Sequence, residues 1–437
     1  MIWLLGGYIW LYVYRPFEIW PFLGSLQIER FYMLLMILTW IFYPGKRIIL
    51  QCIDFAILLF AIAFFISYLI SPYTHQLDIQ LLAENFFKVI IFFILLITTV
   101  RDERELKILL LFFLASIGFY MLHSFWEYIC GRYQYRMGVR RMMGVDQTYG
   151  DPNAFASTLV HALPLLIPLW IESNKWIFRL ILCSYTILAI LCILLTGSRT
   201  SFIALCILAA ILILTLSRSK ATIILSIFAG ILLFIICYYV LLPHDLQSRY
   251  LTIIDADAGP INAQISAEGR TFGFSKGVEL WQANPLLGLG PGSFPHASKS
   301  GMQPHNLYGQ VLSEMGTLGA CCFAFLIICF IFNTFYIRHQ LAIYDHRDDL
   351  FLSQFAFAIT LSIILLLLLG CGGHNLYRYN WIWLAAFSSI SIHCLRLRLN
   401  TALLHYQYGS AIAHCCDYPD GSNSIYVSMI GYPNLRI

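Results

Sequence analysis

The chain alternates long apolar stretches with short polar or turn-rich breaks. Twelve apolar runs fall at residues 1–14, 28–43, 48–70, 86–100, 108–130, 154–171, 177–197, 200–217, 221–242, 308–337, 350–370 and 377–395. An apolar run of about 20 residues crosses the hydrocarbon core of a bilayer as a helix, so the pattern predicts about 12 transmembrane helices, the first of them short. Composition agrees. Of the 437 residues, 59% are hydrophobic, 16% aromatic and only 11% charged, against roughly a quarter charged in a soluble chain. A water-soluble fold has too little interior for this much apolar surface, and a disordered or nucleic-acid-binding chain needs many more charges. The expected fold class is an all-α integral membrane protein.

The net charge of +4 says less than the positions of the basic residues. With the N-terminus in the cytoplasm, the short cytoplasmic loops carry Lys46/Arg47, Arg101/Arg104/Lys107, Lys175/Arg179, Arg218/Lys220, Arg338/Arg347 and Arg396/Arg398, as the positive-inside rule asks. The outer segment 71–85 has no Lys or Arg. Two other outer segments break the pattern: 131–152 carries Arg132, Arg136, Arg140 and Arg141, and the long loop 243–305 carries Arg249, Arg270, Lys276 and Lys299. Long loops translocate whatever their charge, but the shorter segment points to an anionic ligand on the outer face, with Arg136 and Arg140 as supporting candidates. The chain then divides into a polytopic membrane domain, 1–398, and a tail, 399–437, expected to be a poorly ordered cytoplasmic extension. The cysteines inside the apolar runs lack metal-ligand or redox spacing and read as small buried hydrophobes. The first run lacks a basic n-region and a small-residue cleavage site, so it reads as a span and not as a cleavable signal.

The outer loop of about 60 residues is far longer than an ordinary helix connection and is expected to be functional. Within it, Phe274, Val278 and Trp281 recur at helical spacing until Asn284-Pro285, which suits a surface helix on the bilayer. Gly288, Gly290 and Gly292 then form a glycine-rich turn, either a plain connector or an amide cradle for an anion. Pro304 precedes His305 and a helix running into an apolar span, and Asn306, Gln310, Ser313 and Glu314 place a polar stripe on one of its faces. His305 can serve as a general base, and Glu314 either functions there or bonds a neighbouring helix. Arg199, in the short break TGSRTSF, sits at a helix entrance, a favourable site for phosphate oxygens or a snorkelling position. In GDPNAFA, Asp151 and Pro152 read as an N-cap and first helical residue, and Asn153 as a sugar contact. Asp255 and Asp257 form a D-x-D, a weak signal for a divalent metal.

These motifs, GDPNAFA (150–156), TGSRTSF (196–202), GRTFGFSKGVELWQANPLLGLGPGSF (269–294) and HNLYGQVLSEMGTLG (305–319), resemble in order and spacing those of the O-antigen ligases and the related O-antigen polymerases. The resemblance covers roughly residues 85–380, and the last two motifs are its more specific part. It implies a GT-C-like membrane fold in the bacterial inner membrane, with both termini cytoplasmic and the loop 243–305 periplasmic between spans 9 and 10. It also implies transfer of a glycan from a polyprenyl-pyrophosphate carrier to an acceptor hydroxyl, on lipid A-core or another glycan, with the active site periplasmic. Arg199 and Arg270 would bind the donor pyrophosphate and His305 would activate the acceptor hydroxyl. A sugar on pyrophosphate already has a good leaving group, so arginines and one base suffice, with inversion at the anomeric carbon and no metal or other cofactor. In GGHNLYRYNW, His374 and Arg378 are also external, so a second histidine competes for the base role. Ligase, polymerase and protein glycosylation all share this donor chemistry. A multispan transporter or lipid-linked glycan flippase is the alternative, but such carriers show repeated halves and polar groups near the midplane, whereas here the polar groups gather near one face.

Overall fold

A computed structural model describes residues 1–47, 49–136, 138–216, 219–255, 261–343 and 350–416. The elements run α1 (Ile2–Tyr14), α2 (Pro16–Ile19), α3 (Pro21–Ser25), α4 (Ile28–Ile41), α5 (Cys52–Ile70), α6 (Leu77–Thr99), α7 (Glu103–Ile129), β1 (Gln134–Arg136) and β2 (Val139–Arg141). Next are α8 (Pro152–Ala162), α9 (Ile167–Glu172), α10 (Trp176–Leu195), α11 (Arg199–Leu216), α12 (Lys220–Ile236), α13 (His244–Leu251) and α14 (Ile261–Ala283). Last come α15 (Phe294–Ala297), α16 (Leu307–Ile343), α17 (Leu350–Gly370) and α18 (Tyr379–Cys416).

The chain is all-α apart from the β1–β2 hairpin, which pairs Tyr135 with Arg140. Every one of the twelve apolar runs forms helix. Eight helices among the described residues are long and apolar enough to cross a membrane. The other four are shorter: α1 has 13 residues and α4 has 14, which at 1.5 Å per residue reach about 20 Å against a hydrocarbon core of about 30 Å. Apolar stretches Arg199–Thr215 and Lys220–Leu232 likewise fall short of the length of the eight.

Three boundaries differ from the apolar pattern for physical reasons. The run at 86–100 belongs to a helix that starts at Leu77, because the polar residues of its first turns find partners: Lys88 bonds Glu29 at 3.0 Å and Glu84 at 3.1 Å, and Arg30 bonds Glu84 at 2.9 Å. Pro164 and Pro168 remove amide donors within the run at 154–171, so a 3-10 turn, Leu163–Leu166, joins α8 to α9. The helix expected to end near residue 395 continues through Cys416, and residues 417–437 lie outside the described residues. Contacts divide the chain into a first compact unit, Met1–Cys394, and a second, Leu395–Ile437, which contains the end of α18.

Helix α16 is broken at Gly316, whose φ of 62° and ψ of −161° are open to glycine and strained for other residues. A break within an apolar span leaves backbone groups unpaired where water cannot reach them, at several kcal/mol each. The glycine-rich segment satisfies them. Leu289 and Gly290 amides donate to the Ser313 and Glu314 carbonyls, both at 2.9 Å, while Thr317 and Leu318 amides donate back to Pro285 and Leu286, at 2.8 and 3.1 Å. Ser67 of α5 adds a hydroxyl bond to the Glu314 carbonyl at 2.9 Å. The Leu289 and Gly290 amides are therefore spent on protein carbonyls, and the Phe294 amide on the Glu314 carboxyl, so the glycine-rich turn clamps a helix break.

Helix α14 lies against α16 backbone to backbone through Gly273, Gly277 and Gly309. A β-carbon on Gly277 would stand 2.6 Å from the Gly309 Cα, and one on Gly273 would overlap the Pro304 carbonyl. So α14 is seated on the helix after His305. Gly277→Ala is expected to cost about 1–3 kcal/mol through overpacking and to displace Arg270 relative to His305. A thermal midpoint and a transfer rate both equal to wild type in that variant would show that the seat is looser than the structure has it.

Candidate functional site

Strand β2 and helices α8, α11, α13 and α14 meet around the turn joining α10 to α11. Gly197 occupies the left-handed region at φ 62°, and a β-carbon there would stand 2.7 Å from Leu246 of α13 and 3.1 Å from the Arg249 side chain. That close approach lets arginines from separate elements converge. Arg141 Nε donates to the Thr196 carbonyl at 2.7 Å and its Nη2 to Asn153 Oδ1 at 2.8 Å. Arg249 Nε donates to the Gly197 carbonyl at 2.8 Å, and Arg199 Nη1 to Thr252 Oγ1 at 2.9 Å. Arg270 reaches the same place from α14: a β-carbon on Gly372 would stand 3.0 Å from its Cζ and 2.7 Å from Thr200 Oγ1.

The four guanidiniums disturb one another. Burial, then Arg141, Arg199 and Arg270, push Arg249 down to about 9. Burial, then Arg199 and Arg141, push Arg270 down as well. An arginine does not give up its proton in a protein, so these shifts express electrostatic stress in an enclosed group of like charges, which a multivalent anion relieves. Two of the cations also face the C-terminal carbonyls of α10, the negative end of its dipole, which fixes their orientation.

Beside the cluster lies a cavity of about 270 Å³ lined by Asn153, Ser198, Thr200, His305, His374 and Arg378, among others. His305 is exposed to it and held at φ 47°, a left-handed conformation uncommon outside glycine. Its ring meets that of His374 edge-on, centroids 5.4 Å apart. Arg378 Nη1 donates to the Ala154 carbonyl at 3.3 Å and ties this loop to α8. The arrangement sets a cluster of four guanidiniums beside a cavity that holds two imidazoles.

Of the residues singled out from the sequence, Arg199, Arg270, His305 and Asn153 come together. Asp151 is the N-cap of α8, accepting from the Asn153 and Ala154 amides at 2.9 and 3.3 Å, with Pro152 first in the helix. Asn306 caps α16, its Oδ1 accepting from the Gly309 amide at 3.0 Å. Glu314 is fully buried and accepts from the Phe294 amide at 3.4 Å and from Gln310 Nε2 at 3.3 Å, which makes it a buttress of the glycine-rich segment. Arg140 is exposed, 3.8 Å from Asp245. The side chain of Arg136 and residue Asp257 of the D-x-D lie outside the described residues. Arg141 and Arg249 were not among the candidates. Strand alternation across the Gly138 turn, with Val139 and Arg141 inward and Arg140 outward, is the signal that marks Arg141.

Residues 184–324 match the family described as O-antigen ligase, so the resemblance read from the motifs is borne out over that segment. The matched stretch contains Arg199, Arg249, Arg270, His305 and Glu314; Arg141, Asn153, His374 and Arg378 lie outside it. No curated protein matches the chain.

Proposed function

From the O-antigen ligase segment that this membrane protein carries, we propose that it transfers a glycan from a polyprenyl-pyrophosphate carrier to an acceptor hydroxyl. The observation that carries the reading is the group of four mutually stressed arginines beside the cavity of His305 and His374. Arg199, Arg270, Arg141 and Arg249 neutralise the donor pyrophosphate, and Asn153 and Thr200 contact the first sugar. A histidine, His305 in the first instance, takes the proton of the acceptor hydroxyl as its oxygen attacks the anomeric carbon. The carbon–oxygen bond to phosphate breaks, the electron pair leaves with polyprenyl pyrophosphate, and the configuration inverts. The arginines supply the charge that a metal would otherwise bring, so the reaction proceeds in EDTA. In this reading the fold is GT-C-like, all twelve apolar helices are embedded in the bacterial inner membrane, both termini are cytoplasmic, and the loop 243–305 and active site face the periplasm. The acceptor is lipid A-core for a ligase or another glycan for a polymerase.

The direct test is release of polyprenyl pyrophosphate by purified protein with EDTA, a lipid-linked glycan donor and a crude outer-membrane acceptor fraction. Release together with a labelled product is expected. Movement of the lipid-linked glycan across proteoliposomes with no bond made would replace the transferase by a flippase. The pH profile is a second check. The side chain of His374 opens to the cavities it lines, but desolvation at their wall, then His305 and Arg378, drive its pKa down, so His374 stays neutral as pH falls through the ordinary histidine value of about 6.5. If it shares the proton, kcat/KM keeps its plateau through that pH and falls only in more acidic solution. An acid limb centred at or above about 6.5 would remove His374 from the proton path.

A further inference from the structure

The cavity of His305 does not end at His374. A second cavity, of about 410 Å³, shares Thr148, His374 and Arg378 with it. A third, of about 370 Å³, shares Leu81, Asn85 and Thr148 with the second. The three form one polar groove. Its walls are tied together by Tyr149, whose ring lies 4.8 Å from the Arg378 guanidinium and 5.4 Å from that of Arg15 in the third cavity.

The four clustered arginines line none of the three cavities; they stand beside the first, where Asn153 bonds Arg141 and Gly372 adjoins Arg270. The charges of the third are held in pairs of opposite sign: Arg15 with Glu18 at 2.6 Å, and Lys88 with Glu29 at 3.0 Å and Glu84 at 3.1 Å. Paired charges do not select an anion, but they present fixed donors and acceptors. In the middle cavity the side-chain amides of Asn85 and Gln303 are partly exposed and make no hydrogen bond among the described residues. Each offers two N–H donors and a carbonyl acceptor, the complement of a run of sugar hydroxyls, with Tyr149 and Tyr377 supplying ring faces.

We propose that the middle and outer cavities are subsites for the acceptor glycan, with Asn85 and Gln303 as its sugar-binding residues. This rests on the transferase reading, in which pyrophosphate occupies the arginine side. Inversion requires the acceptor hydroxyl to come from the side of the anomeric carbon away from the leaving group, and the groove past His374 is that side. Gln303 stands two residues before His305, so acceptor binding and the histidine share one short segment.

The probes are methyl glycosides of hexoses and N-acetylhexosamines, followed by saturation-transfer NMR on the full-length protein in detergent, without donor. Wild type is expected to bind at least one glycoside in the millimolar range, with the affinity reduced tenfold or more in Asn85→Trp and in Gln303→Trp and kept within about twofold in Arg270→Ala. Thermal unfolding identifies any variant that fails to fold, and either tryptophan variant alone decides the matter. No glycoside bound by folded wild type, or affinity kept in a folded tryptophan variant, overturns the proposal. If the glycosides show the expected pattern while no polyprenyl pyrophosphate is released in the transfer assay, the donor assignment falls and the sugar groove stands.

Discussion

Arg270→Ala lowers kcat/KM for a polyprenyl-pyrophosphate donor by about 10²–10³-fold, the usual loss when one preorganised charge donor is removed from a transition-state oxyanion. The empty protein is no less stable for it. Arg270 sits under the repulsion of Arg199 and Arg141, so its removal relieves strain that the free protein carries and that bound pyrophosphate would offset, a trade of stability for function. Donor affinity falls while the thermal midpoint holds or rises. Arg270→Lys recovers little, because an ammonium lacks the planar fork for phosphate oxygens and does not fit the same way against Gly372. Arg141→Ala and Arg249→Ala behave differently: each also loses a bond to the turn after α10, so both donor affinity and stability fall. An Arg270→Ala protein that melts early yet binds donor as wild type does would make the cluster a structural device and sink the donor assignment.

His305→Ala is expected to reduce transfer by about 10²–10⁴-fold, the range for loss of a general base, with donor affinity retained. The conformation of His305 complicates this variant, since alanine inherits the strain of φ 47°. His305→Gly removes the strain along with the imidazole. Equal losses in the two variants assign the effect to the ring; recovery in the glycine variant assigns it to the backbone. His374→Ala is the paired measurement, because the two rings are in contact. Full transfer by His305→Ala together with a loss of about 10²-fold or more in His374→Ala would move the base to His374, which alone of the two borders both the arginine-side cavity and the groove beyond it.

Helix positions were readable because every one of the twelve apolar runs forms helix, and eight helices among the described residues are long and apolar enough to cross a bilayer. Where prediction fell short, a tertiary partner was responsible. Polar Asp78, Glu84 and Lys88 hid the start of α6 because their partners, among them Glu29, Arg30 and His296, lie far away in the sequence. His305 was visible from Pro304 and the helix after it, and Arg199 from its place at a helix entrance. Arg249 carried no local mark; only the approach of α13 to Gly197 brings it in. The basic excess at 131–141 drew attention to this segment, but choosing among its arginines needs the hairpin register, which places Arg141 inside and Arg140 opposite Asp245. Asn306 and Glu314 were visible as polar residues at a span entrance, and the structure gives them partners within the protein, the α16 cap and the glycine-rich segment.

The break at Gly316 bears on how the chain is assembled. A transmembrane helix ordinarily enters the bilayer with its backbone bonds complete and packs afterwards. The first part of α16 cannot do so, since the Ser313 and Glu314 carbonyls and the Thr317 and Leu318 amides close on residues 285–290, with Ser67 of α5 adding a second bond to the Glu314 carbonyl. Biogenesis is therefore not strictly helix by helix here. The span finishes insertion together with the docking of the segment that precedes it in the chain, and shortening that segment by one or two residues would be read out as failed membrane integration before any loss of catalysis.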